Sequence, residues 1–356
     1  MDYSFATIVA RFRNPQACAR AYCSQVYNSP MASTAATLFC SLLGSSLLAF
    51  QAPGGNGIAV VPRVKPEAPL PRGNAPVAEL RVDSSLVEIP VHVSLRDGSS
   101  VTGLGKDNFR VFEDGVEQKI NYFSQDDAPL SVGLLFDASG SMHNKMRKSS
   151  EAMATFFKTA NAQDEFFLVE FSDRAKLTMP FSEDLDAIYH RILKIRPFGR
   201  TSLLDAIHLA GVEMKKARNL RKAIVIVSDG GDNCSRYTAN QIRTGLLESD
   251  VQVYAMGIFD QGNAKKLPLE EQNGPRLLED LAEQSGGRHY PVDTLDDLLS
   301  ISEHISRDLR NEYLIGYSPA NAARDGKYHQ IRLQVTSPQL QDLRTYYRRG
   351  YYAPVQ

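Results

Sequence analysis

The segment Lys222-Ala223-Ile224-Val225-Ile226-Val227-Ser228-Asp229 constrains the fold more than any other part of the chain. Its apolar residues, mostly β-branched, follow one another without alternation and end on a serine and an aspartate. A half-exposed strand shows a polar residue at every second position. An uninterrupted run reads instead as a strand covered on both faces, as in parallel sheets flanked by helices. A second run, Leu134-Leu135-Phe136, reaches Asp137 in the same way. If both strands share one parallel sheet, both aspartates emerge at the same edge.

The rest of this region alternates in kind. Further strands are expected at 165–171, at 175–181 as an antiparallel edge, at 251–258 and at 289–292. Between them lie helical patterns over 145–159, 185–195, 202–217, 238–247, 276–284 and 295–309, the fifth closed by Gly286-Gly287. Strand alternating with helix predicts right-handed βαβ units, hence a doubly wound, mostly parallel α/β sheet.

Asp137 is followed by Ala138-Ser139-Gly140-Ser141, so one short loop carries an anionic oxygen and two hydroxyls at alternate positions. An oxygen-only set suits Mg²⁺ or Mn²⁺ better than zinc, which favours His and Cys. Taken alone, the pentapeptide is also ordinary strand-to-helix turn chemistry, with Ser141 as a helix cap. Oxygens at other strand ends weigh against that reading. Gly199-Arg200-Thr201-Ser202 offers a threonine hydroxyl on a glycine-hinged loop at a helix start, and Asp229 closes its own strand. Ligands of open α/β sheets bind just beyond the carboxyl ends of strands.

Asp137-x-Ser139-x-Ser141, then Thr201, then Asp229 resembles the metal-ion-dependent adhesion site of von Willebrand factor A domains, all five positions in order on matching elements. The resemblance covers 129–311. Beyond it, Glu312-Tyr313-Leu314-Ile315-Gly316-Tyr317-Ser318-Pro319 and Arg348-Arg349-Gly350-Tyr351-Tyr352-Ala353 resemble the A-domain-related proteins abundant in Acidobacteria, in which β segments flank the domain. The resemblance implies a Rossmann-like A domain and a metal held by Asp137, Ser139, Ser141, Thr201 and Asp229, directly or through water. Mg²⁺ is the expected ion, with Mn²⁺ or Ca²⁺ as alternatives. Surrounded mostly by neutral hydroxyls, the ion stays electrophilic, and a partner's Asp or Glu carboxylate completes its shell.

Arg200, Asp205 and Asp232 stand beside this set. Arg200 either meets a partner carboxylate or folds back onto Asp232. Asp205 either hydrogen-bonds the loop behind the ligands or suits the first turn of its helix through the dipole.

The flanks read as β structure. Val87, Ile89, Val91, Val93 and Leu95 alternate with Glu88, Pro90, His92 and Ser94, the period of a half-buried strand. Pro90 lacks a ladder donor and points to an edge or an outward amide. Strands are expected at 108–112 and 116–123 around the turn Glu113-Asp114-Gly115, and at 313–317, 331–335 and 345–352. The C-terminal strands alone are too few for a stable sandwich. Both flanks are therefore expected to join in one immunoglobulin-like β-sandwich with the A domain inserted between them, separate caps being the alternative.

The expected organisation is a targeting region over 1–52, a linker over 53–77, the first β segment over 78–128, the A domain over 129–311 and closing strands over 312–356. The apolar stretch 38–50 has secretory length and is too short to span a bilayer comfortably; Met31, just before it, is a candidate true start. Six of the 18 prolines lie between Pro53 and Pro76, as in an extended linker. Export to the periplasm or the exterior follows. Of Cys18, Cys23, Cys40 and Cys234, only the last survives such cleavage, which leaves no intramolecular disulfide.

Other functions find little support. A formal net charge of −1 without a basic stripe argues against nucleic acid. No Gly-x-x-x-x-Gly-Lys-Ser/Thr loop occurs and no Gly-x-Gly-x-x-Gly follows a strand, which argues against nucleotide. Turnover is not expected either: Ser139 stands where an Asp-x-Asp phosphotransferase places its second aspartate. His143 is one of seven histidines, so its nearness to Ser139 and Ser141 does not make a triad. The alternatives to a metal-dependent protein-binding module are a structural or assembly protein whose metal only steadies loops and, further off, a metal-dependent hydrolase.

Overall fold

The computed structural model describes residues 86–353 apart from 126, 230, 260–271 and 321–324. The targeting stretch, the linker and Cys18, Cys23 and Cys40 lie outside the described residues. In chain order, β1 (Val87–Ser94), β2 (Phe109–Glu113), β3 (Val116–Gln118) and β4 (Ile120–Ser124) come first. The alternating region follows: β5 (Leu130–Asp137), α1 (Met146–Phe157), β6 (Glu165–Phe171), β7 (Ala175–Ser182), α2 (Leu185–Ile192) and α3 (Leu203–Met214). It continues with β8 (Arg221–Ser228), α4 (Ala239–Ser249), β9 (Gln252–Gly257), α5 (Gly274–Ser285), β10 (His289–Pro291) and α6 (Asp297–Arg310). The closing strands are β11 (Glu312–Tyr317), β12 (Tyr328–Val335), β13 (Arg344–Tyr346) and β14 (Gly350–Tyr352).

The alternating region builds one sheet in the order β10-β9-β8-β5-β6-β7, parallel except for β7 at the edge. Burial on both faces explains the unbroken apolar runs. Leu134 and Phe136 of β5 with Val225 and Val227 of β8 pack toward α1, α2 and α6. Leu135, Ile224 and Ile226 point the other way, toward α3, α4 and α5. After β5 the chain builds outward through β6 and β7, then returns to place β8 on the other side of β5. The reversal opens a crevice at the carboxyl ends of β5 and β8.

The flanks interleave in one sandwich of two antiparallel sheets, ordered β13-β1-β11-β4 and β14-β12-β2-β3. Each sheet takes strands from both ends of the sequence, and Ile89, Val91, Val111, Tyr313, Ile315 and Ile331 share a core. At Pro90 the missing donor is tolerated because β13 covers only His92–Ser94, leaving β1 a single neighbour there. Two strands expected as continuous are split. The stretch 116–123 breaks at Lys119 into β3 and β4, and 345–352 breaks at 347–349 into β13 and β14, each half in a different sheet. These are corners of the sandwich, where the chain bends from one sheet to the other; periodicity reads apolar spacing and is blind to such a change of partner.

The sandwich is tied to the α/β region by charged pairs, most of them buried. Arg221 Nη2 lies 2.8 Å from Glu312 Oε2, both side chains largely buried, and Arg348 pairs with Asp250. Asp308 of α6 is buried among Tyr290, Ser100, Arg288 and His92. His92 Nε2 sits 3.1 Å from Asp308 Oδ1 without the alignment of a hydrogen bond. No helix among the described residues is long and apolar enough to cross a membrane.

Candidate metal site

Asp137 ends β5 fully buried. Its Oδ1 accepts the Ser139 amide at 2.8 Å, and its Oδ2 accepts the Ser228 hydroxyl at 2.6 Å. Burial, followed by the Asp229 carboxylate, pushes the Asp137 carboxyl up to about 7, against the opposing pull of those hydrogen bonds. Two acids delivered by neighbouring parallel strands thus repel one another in a place poor in water.

The hydroxyls are not spent on the backbone. Ser139 precedes a short 3-10 turn, Gly140–Met142, without capping it through its side chain, and the N-cap residue of α1 is Lys145 rather than Ser141. Instead Ser139 Oγ and Ser141 Oγ lie 3.0 Å apart, bonded to each other. Thr201 is buried; its amide donates to Asn233 Oδ1 at 2.9 Å and its carbonyl accepts from Asn233 and Cys234. The adjoining Ser202 Oγ is buried with no hydrogen-bond partner among the described residues. Two neighbouring acids with serine and threonine hydroxyls on the adjoining loops are the kind of oxygen donor set a hard divalent cation takes.

Backbone bonds knit the loops that carry these groups. Ala138 N donates to Phe171 O, Phe198 N to Ala138 O, Gly140 N to Gly199 O and Ser202 N to Ser172 O. Gly199 has φ +73°, and a Cβ there would meet the Asp173 carboxylate at 2.6 Å. Only glycine turns the chain at that point.

Arg200 faces Asp173 rather than Asp232: its amide donates to Asp173 Oδ1 at 2.8 Å, with the guanidinium Nε at 3.8 Å and 68% of the side chain exposed. Asp232 serves the start of α3 instead, accepting the Leu204 amide at 3.2 Å and the Ser235 hydroxyl at 2.5 Å. Asp205 accepts the amides of Arg236 and Tyr237 at 2.8 and 3.2 Å and the Arg236 guanidinium at 3.1 Å, fixing the 235–237 loop. Those bonds hold its carboxyl below the ordinary range despite the opposing effect of partial burial. A cleft of about 640 Å³ opens beside this loop, lined by Asp173, Asp205, His208, Cys234, Arg236 and Tyr237.

Two contacts escape sequence reasoning. Lys145 Nζ donates to Asp229 Oδ2 at 2.7 Å, both side chains largely shielded; nothing in the sequence shows that this lysine turns back toward the sheet. Ser228 reaches Asp137 across the strand pair, and its one signal is a hydroxyl at the end of an otherwise apolar run.

The sequence profile of the von Willebrand factor type A domain matches residues 132–231, the stretch from β5 to the loop after β8. The chain contains a von Willebrand factor A domain. Domains of this type are in general protein-interaction modules without catalytic activity. Over 155 residues it is 28% identical to inter-alpha-trypsin inhibitor heavy chain H2 of Sus scrofa, an alignment taking in 38% of this chain and 16% of that protein. It is 24% identical over 194 residues to an uncharacterized protein of Borreliella burgdorferi, covering 46% of this chain and 54% of the other. The structure of a von Willebrand factor type A protein from Catenulispora acidiphila aligns over 77% of this chain and 75% of that one, at 12% identity and a TM-score of 0.44.

A second group of metal-ligating side chains lies away from the A-domain loops. Glu113, Asp114 and His329, in the sandwich, place their ligand atoms within 4.8 Å of one another, a candidate divalent-cation cluster.

Proposed function

We propose that the chain is a metal-dependent protein-binding module, in which Asp137, Ser139, Ser141, Thr201 and Asp229 hold Mg²⁺ and present it to an Asp or Glu carboxylate of a partner protein. Mn²⁺ and Ca²⁺ are the alternative ions. The observation that carries this reading is the pairing of Asp137 and Asp229 at one sheet edge, with the Ser139 and Ser141 hydroxyls bonded to each other on the loop that follows Asp137. When bound, the ion supplies an open coordination position for a carboxylate oxygen. The protein's part is to hold its own oxygens in place through the knitted loops and to shape the rim. Phe198 (60% exposed) and Arg200 stand on that rim, so an apolar contact and a cation accompany the acidic anchor.

The same reading extends to the whole chain: an A domain over 129–311 inserted between 78–128 and 312–356, export through 1–52, a tether over 53–77, and kinship with the A-domain-related proteins of Acidobacteria. A second reading has its own observation. Because Lys145 already neutralises Asp229, the loops have a cation without metal, as a purely structural or assembly role requires. Capture of partners from the native envelope or secretome, with and without chelator, separates the two. Partners released by chelator and absent with Asp229→Ala support the first; partners retained in both support the second.

A further inference from the structure

We propose that Glu113, Asp114 and His329 form a second metal site, suited to Zn²⁺ or a similar transition ion, that clasps the two sequence-distant halves of the sandwich. His329 Nδ1 lies 2.8 Å from Asp114 Oδ2 and 3.7 Å from Glu113 Oε1. A tetrahedral ion with bonds of about 2.0–2.1 Å separates its ligand atoms by roughly 3.3 Å, and the two distances bracket that figure.

Each carboxylate is anchored by its outer oxygen and keeps the inner one for the imidazole. Glu113 Oε2 accepts the hydroxyls of Tyr317 at 2.5 Å and Tyr351 at 3.1 Å. Asp114 Oδ1 accepts the Gln330 amide at 2.9 Å. On the far side of the ring, His329 Nε2 lies 3.8 Å from Asp325 Oδ1, beyond hydrogen-bond length but near enough for charge attraction. The ring also stacks on Tyr351, with centroids 5.6 Å apart.

Charge points the same way. Glu113 is 4% exposed, and among the described residues His329 is the one basic side chain within ion-pair distance of it. A buried carboxylate without arginine or lysine calls for a proton, an imidazolium or a metal ion. One nitrogen and two carboxylate oxygens, with the half-exposed Asp114 side open to water, favour zinc over magnesium. Placement supplies the role. Asp114 sits with left-handed φ +48° at the tip of the β2–β3 hairpin, and His329 lies on β12, 215 residues further along the chain. An ion there joins a strand preceding the A domain to one following it.

The test titrates Zn²⁺ and, separately, Mg²⁺ into the full chain carrying Asp229→Ala, so that the A-domain site does not contribute, by calorimetry and thermal unfolding, with Co²⁺ absorption as a spectroscopic readout. One Zn²⁺ per chain, a raised melting temperature, a ligand-field band with Co²⁺ and no response to Mg²⁺ are expected. His329→Gln should weaken Zn²⁺ at least a hundredfold. Asp114→Asn, on an exposed turn, should weaken it at least tenfold if the histidine variant fails to fold. Absence of Zn²⁺ binding, or binding undiminished in a folded variant, overturns the proposal in favour of a plain imidazolium–carboxylate pair.

Discussion

Lys145 Nζ lies 2.7 Å from Asp229 Oδ2, so the chain supplies its own cation to the acid that β8 delivers. The ammonium would compete with the proposed divalent ion for the same carboxylate. Any affinity for metal at the proposed site would include the work of moving the lysine aside.

Lys145→Met should therefore act in opposite directions with and without metal. In chelator, Asp229 loses its counter-ion and the melting temperature falls. In Mg²⁺, the site carries one more net negative charge and binds about tenfold tighter, the equivalent of about 1.4 kcal/mol. Calorimetry and thermal unfolding of the variant check both; weaker Mg²⁺ binding would show that the lysine assists the ion instead.

Asp137 yields a pH test. Its folded value of about 7 exceeds the ordinary 3.8, so in metal-free protein the group favours folding fully below about pH 4, and that contribution is lost as pH rises through 7. Asp137→Asn keeps the shape without the charge. In chelator at pH 8 the variant should be more stable than the parent by on the order of a few kcal/mol, and the difference should vanish near pH 4. Denaturation in chelator at the two pH values reads it; a variant less stable at pH 8 would mean that the two carboxylates do not strain the empty fold.

His92 has the opposite slope. Burial lowers it from 6.5 to about 4, so below pH 6.5 the unfolded chain takes up a proton that the folded chain refuses. Its contribution is complete above 6.5 and is lost as pH falls to 4. Moving a histidine over that span is worth about 3 kcal/mol at 1.36 kcal/mol per pH unit. His92→Phe should flatten the acid limb of the stability profile, which would stay unchanged if protonation of His92 is tolerated in the fold.

The rim separates capture from metal binding. Phe198→Ala removes a side chain that is 60% exposed and holds none of the proposed ligands. Partner binding should weaken by about 1–2 kcal/mol, as for an aromatic contact at an interface, while Mg²⁺ affinity stays unchanged. Titration of a captured partner against parent and variant measures it, and equal affinities would remove Phe198 from the binding face.

The sheet was legible in the sequence because burial on both faces leaves continuous apolar runs, and these end on Asp137 and Asp229, the acids that define the site. The turn before Thr201 was legible through Gly199, where a side chain would run into the Asp173 carboxylate. What composition could not show were contacts made by long side chains across the fold. Lys145 reads as an ordinary helix-start lysine, and Arg200 found Asp173, an acid in the turn after β6, rather than Asp232. The Glu113–Asp114–His329 group was hidden for another reason: its members are ordinary turn and strand residues until the sandwich closes across the inserted domain. The splits at Lys119 and at 347–349 were invisible because sandwich corners keep the apolar spacing while changing the partner.

The proposed function requires that the oxygens of the Asp137 and Asp229 loops bind a divalent cation. Calorimetric titration of Mg²⁺ into chelator-stripped protein, repeated with Asp229→Ala in a background carrying His329→Gln, tests it most directly. One ion per chain is expected in the His329→Gln background, with a rise in melting temperature, and loss of both when Asp229→Ala is added to a chain whose circular dichroism is unchanged. Absence of heat and of any thermal shift, or binding that survives Asp229→Ala, would contradict it.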